Sequence, residues 1–133
     1  MNKTILLTAS AFGFIGIILG AFAAHGLKQL IPAESVTSFE TGVRYQIYHA
    51  FFLLFLGLTP FLNEKSKKFM YWLTLFGVLF FSGSIYGLAT NSLYAFDFSA
   101  LAFITPIGGL LLILTWGLLF ANLLKLKPKN NNL

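Results

Sequence analysis

The stretch GAFAAHGLKQLIPAESVTSFETGVRYQIYHAFFLL, residues 20–54, joins two long apolar runs and holds both histidines, the one arginine and two of the four acidic residues. A chain that leaves one apolar run at His25 and resumes another near Val43 reads as two membrane helices joined by a polar bend. Outward from this bend, no formally charged residue occurs between Lys3 and Lys28, Arg44 and Glu64, Lys68 and Asp97, or Asp97 and Lys125. Each gap can cross a hydrocarbon core, which needs roughly 20 helical residues at about 1.5 Å each. The expected spans are residues 4–26, 43–62, 69–90 and 99–123, with 124–133 a solvated tail. Continuous apolar runs exclude the short alternating strands of a β-barrel. The predicted fold is all-α: a single polytopic membrane domain over residues 1–133, a bundle of four transmembrane helices with a short interfacial helix or loop between the first two.

Composition agrees. The chain is 57% hydrophobic and 10% charged, against about 25% charged in a soluble domain. The net charge of +5 comes from lysines gathered at the ends of apolar runs, a placement that suits anionic headgroups and not nucleic acid. No cysteine is present, which excludes disulfides, thiolate metal sites and cysteine nucleophiles. HExxH, GxSxG and glycine-rich phosphate loops are absent, and His25 and His49 lack a neighbouring carboxylate cluster. No metal, cofactor or catalytic residue is therefore expected.

The first run has a signal-like start, with Lys3 before the apolar stretch and Ala21 and Ala23 in an A-x-A pattern. It continues from Ile5 to Ala24, longer than the roughly 7–15 residues of a signal core, and reads as a retained span. Gly16, Gly20 and Ala24 recur every fourth residue, and Gly83 and Gly87 repeat that spacing in the third span. Such stripes let helices approach closely, so Gly16, Gly20, Gly83 and Gly87 are expected packing positions. In the fourth span Pro106, Gly108 and Gly109 fall within two turns, where a kink or a partly opened turn is expected.

Between the first two spans, Ser35 is a plausible helix N-cap with Pro32 upstream, and Glu40 with Arg44 forms an i, i+4 pair. This segment reads as a lead-in that bends into the membrane near Val43. On the helix that follows, Tyr45 and His49 share one ridge, and His49 lies roughly 9 Å below Val43. An ionisable group there needs protein or water beside it, so His25, Arg44, Tyr45 and His49 are expected to converge as a polar site near the outer leaflet. A neutral His49 that only bonds to Tyr45 or a backbone carbonyl, and an Arg44 that only anchors the helix at the interface, remain the structural alternatives.

Four blocks carry a resemblance: GAFAAHGL at 20–27, RYQIYHAFFLL at 44–54, FSGSIYGLA at 81–89 and TPIGGLLLILTW at 105–116. Together they resemble the YgdD/YwdK-like family of bacterial inner-membrane proteins, a domain of unknown function with a eukaryotic relative among small transmembrane proteins. Ala23 and Thr115 stand where that family usually has glycine. The resemblance implies a four-helix protein of the bacterial plasma membrane and carries over no cofactor or catalytic residue. Three classes of function stay open: a packing or interaction component that joins a homo-oligomer or a larger membrane complex; a small transporter or ion-coupled channel using the His/Arg/Tyr site; and a lipid-modifying enzyme. The lysine asymmetry predicts a multi-pass topology with both termini cytoplasmic.

Overall fold

The computed structural model describes residues 1–94, 97 and 99–127. Residues 128–133 of the expected tail, and 95, 96 and 98 of the turn before the fourth span, lie outside the described residues. Four helices form: α1 (Asn2–Ala24), α2 (Ala33–Leu58), α3 (Glu64–Ala89) and α4 (Ile104–Leu124). Short 3₁₀ helices lie at Leu27–Gln29, Asn91–Leu93 and Ser99–Phe103. Each helix packs on the next in chain order, as short connections between antiparallel neighbours dictate. One core cluster gathers Ile5, Leu53, Leu56, Met70 and Leu119 near the chain termini, and a second gathers Ala23, Leu27, Val36, Phe39 and Ala89 at the opposite end.

The outer surface is apolar. Phe14, Ile17, Ile113 and Phe120 are each about two-thirds exposed or more, an arrangement that water would oppose and lipid favours. Asn2–Gln29, Glu64–Ala89 and Ser99–Leu124 are each long and apolar enough to cross a membrane. Helix α2 is as long as α3, at 26 residues, yet more polar, because Gln46 and His49 turn inward and are buried among the other helices. Its inner face is matched to protein neighbours, while Tyr48, Phe51 and Leu58 on its outer face are exposed.

Several expectations change at the bends. Helix α2 is not capped by Ser35: its cap lies three residues earlier. It starts at Ala33 with Pro32 as its extended N-cap residue, ten residues ahead of the predicted span. The polar stretch is helical because its hydroxyls bond to the helix itself: Thr37 to the Ala33 carbonyl, Ser38 to Glu34 and Thr41 to Thr37. Its apolar face, Val36 and Phe39, packs under Ala23 and Leu27. Arg44 does not pair with Glu40 but donates to Thr41 Oγ1 at 2.9 Å. Helix α3 begins at Glu64, five residues before the expected span. Asn63 caps it, its Oδ1 accepting the Ser66 N–H at 2.8 Å. In the turn before α4, the Ser99 backbone N–H and hydroxyl donate to Asp97 and hold its carboxyl below the usual carboxylate range.

Pro106 is the third residue of α4, at its junction with the 3₁₀ helix Ser99–Phe103, where a missing donor disturbs less than in the interior of a helix. Gly108 is the point of closest approach between α3 and α4. A Cβ there would lie 2.3 Å from Phe81 N and 2.7 Å from Phe80 C, against backbone that cannot give way. Gly16 is crowded by the flexible end of Ile47 at 2.6 Å, and Gly20 meets Val43 at an ordinary 3.5 Å. Gly83 faces open space with nothing within 4 Å, so its repeat spacing makes no contact within the chain. Gly108→Ala is therefore expected to destabilise the bundle by about 1–3 kcal/mol, as overpacking does. Gly83→Ala, a better helix former on an open face, should leave stability unchanged or slightly raised; thermal unfolding in detergent followed by circular dichroism compares the two.

Candidate functional site

Interior polar groups on α2 organise the site. Gln46, 5% exposed, donates from Nε2 to the Phe12 carbonyl of α1 at 2.8 Å and accepts at Oε1 from the Tyr86 hydroxyl of α3 at 2.7 Å. One turn further along, His49 is 3% exposed. Its Nδ1 lies 2.6 Å from the Tyr45 carbonyl, and its Nε2 accepts the Trp116 indole N–H of α4 at 3.0 Å. These contacts fix the tautomer. A carbonyl only accepts and an indole N–H only donates, so Nδ1 carries the proton and Nε2 presents its lone pair. The imidazole is neutral with both nitrogens engaged, and taking a second proton at Nε2 would require the release of Trp116.

An aromatic frame holds the ring. Tyr45 stacks beside His49 at 6.4 Å, and Trp116 meets His49 edge-on at 6.1 Å and Phe52 at 4.7 Å. Next to the His49–Trp116 bond lies a cavity of about 430 Å³, lined by Tyr45, His49, Phe81, Gly109, Leu112 and Trp116. A second cavity of about 320 Å³ lies on the other side of Trp116, against Tyr48, Phe52 and Phe55. Both are walled chiefly by carbon.

The four residues expected to converge are divided. Tyr45 and His49 adjoin. Arg44, next in the chain, is exposed and turned to Thr41. His25, the C-cap residue of α1, is exposed at the end of the bundle. A Cβ on Gly13, midway along α1, would meet Ala50 at 3.9 Å, so His49 sits near the middle of the bundle's length and not at its end. His25 lies twelve residues beyond Gly13, about 18 Å along the axis, and the two histidines do not form one site. Among the described residues, no three of His, Cys, Asp and Glu cluster as metal ligands. Gly109 lines the larger cavity, and Gly87 lines a separate one of about 300 Å³ beside Phe22, Phe39 and Tyr86.

Gln46 and Trp116 did not stand out in the sequence. An amide between a charged residue and a histidine gave the only signal for Gln46, and a tryptophan 67 positions from His49 gave none. Other cross-helix bonds join Ser82 Oγ to the Gly42 carbonyl at 2.7 Å, Thr74 to Thr115 at 3.0 Å, and Thr8 to Tyr71 at 2.8 Å. A double-mutant cycle on His49→Ala and Trp116→Phe should give a coupling of about 0.6 kcal/mol, with about 1.7 as the upper range for such bonds in membranes. Additive effects on unfolding would show that the bond contributes nothing.

A family model described as a protein of unknown function, DUF423, matches residues 19–109. A "UPF0382 membrane protein" of Haemophilus influenzae is 36% identical over 86% of this chain and 88% of its own length. The "UPF0382 inner membrane protein YgdD" of Escherichia coli K12 is 34% identical over 96% and 95%, and a Staphylococcus saprophyticus UPF0382 membrane protein is 32% identical over 93% and 99%. No solved structure matches. The matched residues take in the whole of α2 and α3 together with the His49 end of the aromatic frame, and the chain belongs to the DUF423 family of membrane proteins.

Proposed function

We propose that this protein is a four-crossing bundle of the plasma membrane that acts as a packing and interaction component, not as a transporter or an enzyme. The observation that carries the reading is the complete engagement of His49: its Nδ1 is held by the Tyr45 carbonyl and its Nε2 by Trp116. A proton relay needs an ionisable group with a free site on a water path. Here the ring is neutral and the adjoining cavity is walled mostly by aromatic and aliphatic side chains. Gln46, Ser82 and Thr115 likewise bond across helices, which suits a scaffold whose polar groups set helix register.

Crossing of the bilayer by α2 is supported by its 26-residue length and by its antiparallel packing between α1 and α3. Lys3, Lys65, Lys67, Lys68 and Lys125 fall at one end of the bundle; Lys28 and Arg44 fall towards the other with Glu34, Glu40 and Asp97. The positive-inside rule then puts both termini in the cytoplasm.

Two measurements test the reading. Because the native chain lacks cysteine, Lys28→Cys and Ser92→Cys should react with an impermeant maleimide on intact cells while Lys65→Cys, at the start of α3, reacts only after lysis; positions 28 and 65 reacting from the same side would overturn the crossing by α2, and the reverse pattern would overturn the topology. In proteoliposomes, His49→Gln should match the wild type in proton permeability. A pH-driven flux carried by the wild type and lost in the variant would restore the transport reading.

A further inference from the structure

Arg44 and the groove beneath it have not been used by the scaffold. Helices α2 and α4 meet chiefly through side chains, with His49 and Phe52 on one side and Trp116 on the other. The two cavities flanking Trp116 therefore open a groove between them. It runs from Tyr45 to Phe55 on α2 and from Gly109 to Leu119 on α4, about 15 Å at helical rise. Its lining is almost wholly apolar, with the Tyr45 and Tyr48 rings in edge contact at 5.5 Å where the groove begins.

Arg44 stands at that same end, one residue before Tyr45 and one turn before Tyr48. It lies six residues from Ala50, which faces the middle of α1, or about 9 Å from mid-depth, whereas the hydrocarbon half-thickness is about 15 Å. A guanidinium there reaches outward to the headgroups. It offers five N–H donors, of which Nη2 is engaged by Thr41; among the described residues no carboxylate lies within ion-pair distance of it, and the ion pair that forms is Lys67–Glu64. Glu40 is one turn further out on the same helix, Glu34 is about 15 Å away, and Asp97 is held by Ser99. A cation at the hydrocarbon margin with donors to spare, directly above an open apolar groove, is complementary to one amphiphile: a phosphate bearing a hydrocarbon tail.

We propose that the α2–α4 groove is a binding site for an anionic phospholipid, with its phosphate on Arg44 and one acyl chain lying along Tyr48, Phe52 and Trp116. This rests on α2 crossing the bilayer, which the labelling at positions 28 and 65, one on each side of α2, tests separately. Phosphatidylglycerol fits better than phosphatidylcholine because it carries no amine cation to compete with the guanidinium.

Of the two tryptophans, Trp116 lies in the groove and Trp72 lies near the start of α3, so Trp72→Phe leaves Trp116 as the sole indole reporter. Reconstituted into bilayers containing lipids with brominated acyl chains, this variant should show Trp116 quenching by phosphatidylglycerol with an apparent affinity about fivefold that of phosphatidylcholine, the factor for about 1 kcal/mol per cation near an anionic lipid. Arg44→Gln should bring the two lipids level, and Glu40→Gln should widen the preference. Equal quenching in the wild type, or a preference that survives Arg44→Gln, overturns the phosphate contact. Failure of either lipid to quench Trp116, as when a second copy of the chain covers the groove, overturns the site itself.

Discussion

A polar side chain inside an apolar solvent must find its partner within the protein, and in this molecule Gln46 and His49 enforce that constraint. They lie one turn apart on α2 and between them reach all three other helices: Gln46 binds the Phe12 carbonyl and the Tyr86 hydroxyl, and His49 binds the Trp116 indole. Hydrophobic burial cannot choose among rotations of a helix whose neighbours and solvent are equally apolar. A few directed bonds can, because each wrong rotation leaves a donor or acceptor without a partner. The register of the bundle follows from these bonds, together with the backbone contact at Gly108.

The two devices divide the work by helix pair. Between α3 and α4 a glycine brings the backbones together, and Thr74–Thr115 and Ser84–Thr105 add hydroxyl contacts above and below. Between α2 and α4 no glycine closes the gap, and a single indole–imidazole bond spans it with a cavity on either side. The bundle is thus tight on one side and open on the other. That asymmetry explains why Trp116 is at once part of the interior network and 48% exposed.

Much of the architecture was legible in the sequence because charge-free runs are imposed by the membrane itself: the apolar runs after Lys3, after Lys68 and after Asp97 are all helical. The start of α2 was legible to within three residues, from Pro32 and Ser35; that the polar stretch runs unbroken into the apolar one was not, because it rests on the hydroxyls of Thr37, Ser38 and Thr41 bonding back to the helix. Tyr45 beside His49 could be read from i, i+4 spacing. His25 could not be placed, since nothing local says how far the end of α1 stands from the middle of α2. Gly83 misled for a related reason: a small-residue stripe reports that close approach is allowed, and not which way the helix is turned. Gly108, set among apolar neighbours and next to Pro106, suggested a bend and is instead a contact.

The position of α2 in the chain bears on how the protein is made. Gln46 finds one partner 34 residues behind it and another 40 residues ahead, and His49 meets Trp116 67 residues ahead. When α2 is synthesised only α1 precedes it, so of these bonds only the one to the Phe12 carbonyl has its partner already made. The network is complete only once α4 exists, and α4 is the clasp that closes the bonds of a helix made well before it.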